Sequence, residues 1–263
     1  MLMADTHSTD IDRATPMSLP DNPTLAIDAL KGRVILITGA GDGLGRATAL
    51  EAARCGATVI LLGRTIRKLE ATYDLIEKAG YTQPGIVPLN LNGASWNDYE
   101  AVAETLEAEF GQLDGLVHCA THFTGFMRLA DVPPKDWLDG LQTNLTAAYV
   151  LTRSCLPLLQ KSADASVVFV TDSAGRKPKA YQGVYGITKA AIESMATTFA
   201  LEHASTDPQL RFNTFYPGPM RTAVRVKGFS GESGSAAPLP GLAAQRLSWL
   251  LSDAGKTLRG QSL

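Results

Sequence analysis

A chain of 263 residues, 45% hydrophobic and 19% charged, is long enough to bury a substantial core as one α/β domain and too short to suggest a second. Its formal charge of −2 argues against a nucleic-acid partner, and no apolar run reaches the length a bilayer span needs. Cys55, Cys119 and Cys155 cannot all pair within one chain and lack metal-ligand spacing, so they read as reduced thiols of a cytoplasmic protein without a metal site.

Residues 1–30 hold Asp5, Asp10, Asp12, Asp21 and Asp28 against a single Arg13, with Pro16, Pro20 and Pro23 and no apolar core of a secretion signal. That composition predicts a flexible leader ahead of a folded domain at 31–263, either disordered or wrapped on a neighbouring subunit. The β-branched run Arg33–Ile37 predicts a strand buried on both faces. It leads into Thr38-Gly39-Ala40-Gly41-Asp42-Gly43-Leu44-Gly45 and then a helix ending at Cys55-Gly56. Glycines let the backbone turn tightly and approach a pyrophosphate, while the free N–H groups of the helix start point at the anion. A second strand at 58–63 completes a βαβ unit, the context in which such a loop holds a dinucleotide.

Arg64 follows that strand. An acid there would accept from an adenosine ribose, whereas a guanidinium presents a charged fork to a 2′-phosphate, which favours NADP over NAD. Further along, the pattern predicts a helix from Thr65 to about Lys78, a strand at 85–91, a helix at about 98–110 and a strand at 115–118. A loop at 121–134 carrying Phe123, Phe126 and Met127 precedes a long helix at about 135–159, with Asn144 inside it as either a tolerated polar residue or a deliberate irregularity. A fifth strand at 166–171 ends on Asp172-Ser173, and the next helix, from Tyr185 to about His203, puts Tyr185 and Lys189 on one face. After a sixth strand at 210–215 come Pro217, Gly218 and Thr222, a Gly/Ser/Pro-rich segment at 228–241 that reads as a mobile lid, and a last helix at about 242–251. The alternation implies a Rossmann-type doubly wound parallel sheet with helices on both faces and its ligand beyond the strands' carboxyl ends.

Thr38-Gly39-x3-Gly43-x-Gly45, Asn144, Tyr185-x3-Lys189 and Pro217-Gly218-x3-Thr222 together resemble the short-chain dehydrogenase/reductase family over about residues 33–263. Leu61–Arg64, Leu113–Gly115 and Gly183–Gly186 are similar to its YciK-like bacterial branch. The resemblance implies a hydride transfer between NADP and a carbonyl or secondary alcohol of a small-molecule substrate. Tyr185 would be acid/base, Lys189 would bind the nicotinamide ribose and lower the tyrosine's pKa, and Asn144 would anchor a relay water. It also implies that Thr38, Gly39, Asp42, Gly43, Leu44, Gly45, Arg64, Asn90, Leu91, Cys119, Ala120, Tyr185, Lys189, Pro217, Gly218 and Thr222 line the cofactor, and that the protein is a homodimer or homotetramer. Lowering a phenol from about 10 to about 7 takes roughly 4 kcal/mol, within reach of one cation at about 4 Å.

Three positions depart from the family. Its substrate-orienting serine falls on Asp172, with Ser173 one place late; a carboxylate only accepts and repels the negative charge that a serine would stabilise. Protonation of Asp172, a swing of Ser173, or a substrate amine or hydroxyl would each reconcile it. Cys119 replaces an Asn as a small apolar filler, and Asn90 replaces an adenine-binding Asp while keeping an amide oxygen as acceptor. These changes leave open a second function, a catalytically impaired cofactor-binding homologue serving as sensor or scaffold, and a third, an epimerase or lyase. His118 and His122 read as structural or as proton relays.

Overall fold

The computed structural model describes residues 19–233 and 235–263. Six parallel strands form one sheet in the order β3-β2-β1-β4-β5-β6: β1 Val34–Thr38, β2 Thr58–Gly63, β3 Gly85–Pro88, β4 Gly115–His118, β5 Ala165–Val170 and β6 Leu210–Phe215. The apolar runs are continuous because alternate residues point to opposite faces and both faces are covered. Ile35, Ile37, Val59, Leu61, Val117 and Val168 pack into one core layer, and Leu36, Ile60, Leu62, Leu116, Val167 and Phe169 into the other. The first layer is closed by α1 (Gly43–Arg54), α2 (Ile66–Lys78) and later α9 (Gly241–Leu251); the second by α3 (Trp96–Phe110), α5 (Ala147–Lys161) and α7 (Gly183–His203). Past β6, Ser262 bridges Thr214 in parallel, so the last residues lie along the sheet's edge as a fragment of a seventh strand.

The predicted leader is corrected over its second half. Leu19, Leu25 and Leu30 are buried against α1 and α9, Leu30 N–H donates to the Cys55 carbonyl at 2.8 Å, and Arg54 donates to the Leu25 carbonyl. Three leucines at these positions form an apolar stripe that the acidic and proline content masked; residues 1–18 lie outside the described residues.

The long helix expected at 135–159 is found, running without interruption from Pro134 to Lys161 but with an irregularity inside it. A 3₁₀ turn at Leu129–Asp131 leads into α4 (Pro134–Leu141), a π-helical turn covers Gln142–Thr146, and α5 follows. A π turn inserts one residue and re-aims the side chains around it. Two short helices were not legible: α6 (Ser173–Arg176) and α8 (Ala223–Gly228), each opened by a side-chain cap, Asp172 accepting from Ala174 N–H and Thr222 from Arg225 N–H. The strand predicted to reach Leu91 stops at Pro88. Arg225 pairs bidentately with Glu232, which ties the start of the expected lid onto α8.

Candidate active site

Strand order reverses between β1 and β4, and the crevice at such a switch point opens beyond their carboxyl ends. Gly39 leaves β1 at φ +69°, and a Cβ on it would stand 3.0 Å from the Ala120 backbone. A Cβ on Gly45 would run into the Gly39 carbonyl oxygen, and one on Gly43, at φ +50°, would meet the Thr222 methyl at 3.3 Å. Thr38 Oγ1 accepts from Ala120 N–H at 3.1 Å and so ties the two strand ends together. The result is a tight backbone cradle at the start of α1 whose close approaches only glycine permits. Thr38, Leu91, Ala120, Asn144 and Lys189 line a small hollow between the ends of β1 and β4 and the helices α5 and α7. Arg64 and Asn90 stand exposed at the ends of neighbouring strands β2 and β3. Pro217 and Gly218 follow β6, Gly218 turning at φ +75°.

Asp42 has a role that its place in the loop did not reveal. Its Oδ1 caps Gly43 N–H at 2.7 Å and its Oδ2 pairs with Lys68 at 2.6 Å; the lysine holds its carboxyl below the usual range. Lys68 and Arg46, which donates to the Gly41 carbonyl, are two cations beside the cradle that the sequence reading missed. Lys68 in the first turn of α2, just after β2, was the available signal.

Beyond β5, Tyr185 Oη donates to Asp172 Oδ2 at 3.3 Å, while Asp172 Oδ1 accepts from Ala174 N–H at 2.8 Å and Ser173 Oγ at 3.2 Å. Ser173 therefore serves the carboxylate. Lys189 shares Tyr185's helix face, its Nζ 5.6 Å from the ring centroid, and donates to the Val170 carbonyl at 2.8 Å. Burial lowers the Lys189 ammonium to about 8, against the raising pull of Asp172. The tyrosine moves opposite to the sequence expectation: burial first, then the Asp172 charge, push its phenol above the ordinary range. In the protein alone, Tyr185 is a held proton donor.

Asn144 sits in the π turn and is a true irregularity, buried and fully engaged. Its Oδ1 accepts from His122 N–H and from Thr121 Oγ1 at 3.3 Å; its Nδ2 donates to the His122 carbonyl at 3.0 Å and to Thr188 Oγ1 at 3.1 Å. Thr188 Oγ1 in turn donates to the Tyr185 carbonyl at 2.9 Å. All four hydrogen-bonding places of the amide are used, so a relay water could reach Asn144 only through its main chain.

The short chain dehydrogenase family profile matches residues 33–233. The chain belongs to the short-chain dehydrogenases. This dehydrogenase is 35% identical over 235 residues to the uncharacterized oxidoreductase YciK of Escherichia coli K12, covering 89% of this chain and 92% of that one. It superposes on a Pseudomonas syringae short chain dehydrogenase with a TM-score of 0.89 at 38% identity, covering 94% and 99% of the two chains. A further superposition, at TM-score 0.86 and 35% identity over 90% and 98%, is with an E. coli CFT073 short chain dehydrogenase complexed with NADPH.

The remaining candidates of this dehydrogenase divide. Cys119 is half-buried, and desolvation pushes its thiol up to about 12. His118 is structural: it stacks on Phe169 with centroids 4.8 Å apart, shares a hydrogen bond with Thr152 Oγ1 at 2.8 Å, and burial lowers it to about 3. Between pH 6.5 and about 3 the unfolded chain binds a proton there that the folded chain refuses, so this residue's contribution falls as pH drops through that window. Denaturant titrations at pH 7 and pH 5 are therefore expected to show a smaller loss of stability for His118→Asn than for the parent; equal losses would contradict it.

The cleft next to Tyr185 is walled by His122, Phe123, Met127, Val132 and Val184. Phe123 packs edge-on to Tyr185 at 5.0 Å and to Phe126 at 5.3 Å, and Phe126 to Phe229 at 5.3 Å. Loop 121–134 and the end of α8 thus meet over the site. Tyr181, the one non-glycine at positive φ (+70°) among the described residues, accepts from Met127 N–H and joins that wall to the head of α7.

Proposed function

We infer that this protein is an NADP-dependent oxidoreductase that moves a hydride between the nicotinamide and a carbonyl or secondary alcohol, with Tyr185 as acid/base. The observation that carries the reading is the assembly of two features beyond the strands' carboxyl ends: a glycine-built turn at the head of α1, after β1, and a phenol on α7 bonded to Asp172, after β5, with a buried lysine on the same helix face. The residues fit a dinucleotide. Gly39, Leu44 and Gly45 would take the pyrophosphate on backbone N–H groups, Gly43, its own N–H capped by Asp42, would let the backbone approach, Ala120 and Cys119 would pass beneath the sugar, and Lys189 would reach the nicotinamide ribose, with Thr38, Pro217, Gly218 and Thr222 closing the sides. Asn90 and Leu91 would border the adenine. Bound there, the nicotinamide supplies or accepts the hydride; the chain supplies orientation, a dry aromatic wall and the proton at Tyr185 Oη.

NADP is favoured over NAD because Arg64 follows β2, where a guanidinium would meet a 2′-phosphate, and because the related E. coli CFT073 protein is complexed with NADPH. Arg64→Ser is expected to weaken NADPH binding about 10- to 100-fold, the ~1.5–3 kcal/mol of a charge-assisted hydrogen bond, and to leave NADH unaffected. Fluorescence titration of both nucleotides, followed by a panel of carbonyls and secondary alcohols, tests the assignment; no uptake of either nucleotide at millimolar supply would refute it. Association through the long helices α5 and α7 into a homodimer or homotetramer belongs to the same reading. The sensor or scaffold alternative is less favoured, since the relatives are oxidoreductases and the Tyr185–Asp172–Lys189 cluster is assembled.

A further inference from the structure

The carboxylate at the end of β5 touches the phenol that the proposed reaction uses, and nothing in the family resemblance provides for it. Its two oxygens are differently employed. Oδ1 is occupied by Ala174 N–H and Ser173 O–H, which fixes the carboxylate's direction, and Oδ2 is turned to Tyr185 Oη. Ser173 cannot stand in as a substrate donor without giving up that bond. Lys189 spends one proton on the Val170 carbonyl, and the Asn144 amide is filled by Thr121, His122 and Thr188. Of the side chains around Tyr185, only Asp172 accepts from its hydroxyl. A ketone arriving here would meet an anion where its oxygen gathers negative charge; a hydroxyl would meet a phenol whose own proton already has somewhere to go.

We propose that Asp172 is a catalytic residue of this site, taking the proton that Tyr185 passes on as the enzyme oxidises a secondary alcohol. The proposal rests on the function inferred above. In the step, the substrate O–H breaks and its proton goes to Tyr185 Oη, the phenol's own proton goes to Asp172 Oδ2, and the carbinol C–H electrons leave as hydride to oxidised NADP while the C=O bond forms. Asp172 then returns its proton to solvent. The substrate class this selects is a secondary alcohol whose carbinol carbon sits against the Phe123 wall. The other ionisable groups bearing on the pair are Lys189 and Glu193 on α7, Cys119 beyond β4 and Tyr216 beyond β6. Both thiol and lysine are buried, which leaves the carboxylate as the nearest proton acceptor.

Asp172→Asn and Asp172→Ser both keep a side chain able to cap Ala174 N–H, so the local fold survives in each. With NADP⁺ and a secondary-alcohol panel, Asp172→Asn is expected to lose at least about 100-fold in kcat, as removal of a proton acceptor does, with NADPH affinity by fluorescence unchanged. A second readout needs no substrate: in protein carrying ¹³Cζ-tyrosine, with the Tyr185 resonance assigned by its absence in Tyr185→Phe, the phenol is expected to ionise at lower pH in Asp172→Asn than in the parent. Turnover equal to or above the parent's in either variant, or an unmoved Tyr185 titration, would overturn the role of Asp172. A parent that binds no NADPH would instead refute the underlying function, so the two failures are separable.

Discussion

Tyr185→Phe is expected to lower kcat by about 100- to 10,000-fold, the range over which a positioned acid or base contributes. The substitution is narrow in what it removes. Phe keeps the ring edge against Phe123 and stays under Lys189 Nζ, so the wall of the cleft and the packing of α7 persist. What disappears is Oη, and with it the one proton donor that Asp172 Oδ2 holds in the site. NADPH should therefore bind largely as before while hydride transfer fails. Steady-state rates beside a fluorescence titration separate the two, and turnover within tenfold of the parent would remove Tyr185 from the acid/base role.

The largest effect on stability is expected at a residue far from this chemistry. Arg211 on β6 is wholly buried; its Nε and one terminal nitrogen meet the two Asp164 oxygens at 3.0 and 3.2 Å, and the other donates to the Leu250 and Gly255 carbonyls at 3.0 and 2.7 Å. Arg33, at the entrance to β1, grips the same carboxylate at 2.9 Å. The cluster fastens β6 and the end of α9 to the foot of the central strand. Arg211→Met leaves Asp164 Oδ1 without its donor and takes one donor each from the Leu250 and Gly255 carbonyls, which keep Ser166 Oγ and Leu258 N–H; breaking such a buried pair costs about 3–5 kcal/mol. For a protein of ordinary stability that is a third or more of the total, a fall of about 10 °C in Tm. Calorimetry or urea titration measures it, and a loss below about 1 kcal/mol would show that the surrounding apolar packing carries the junction alone.

What the sequence disclosed and what it hid follow one physical division. The cradle glycines and the Tyr185–Lys189 pair were legible because their geometry is local: a turn and one step of helix determine which atoms face the crevice. The parallel strands were legible because strands buried on both faces need uninterrupted apolar runs. Asp172 was found by counting, but its work was not, since its partners lie thirteen residues away on Tyr185 and in an unforeseen helical turn beginning at Ser173. Asn144 could be read only as a choice between tolerance and irregularity, because a π turn reflects what loop 121–134 must reach rather than any helix propensity. The direction of the Tyr185 shift was missed for the same reason: Lys189 stood in the sequence beside it, while the burial and the opposing carboxylate come from the tertiary structure. Arg211 sat in plain view inside an apolar strand, a polar residue where none belongs without a partner, and that discord was the available clue.

Leu19, Leu25 and Leu30 lie ahead of residue 33, where the family correspondence starts, yet they sit inside the same hydrophobic layer as Ile35 and Val59. The family profile and the hydrophobic layer thus draw different front edges on this molecule. A fragment begun at residue 33 would show water a bare strip of that layer beside α1, and the helix whose first turn forms the cradle would lose part of the backing at its far end.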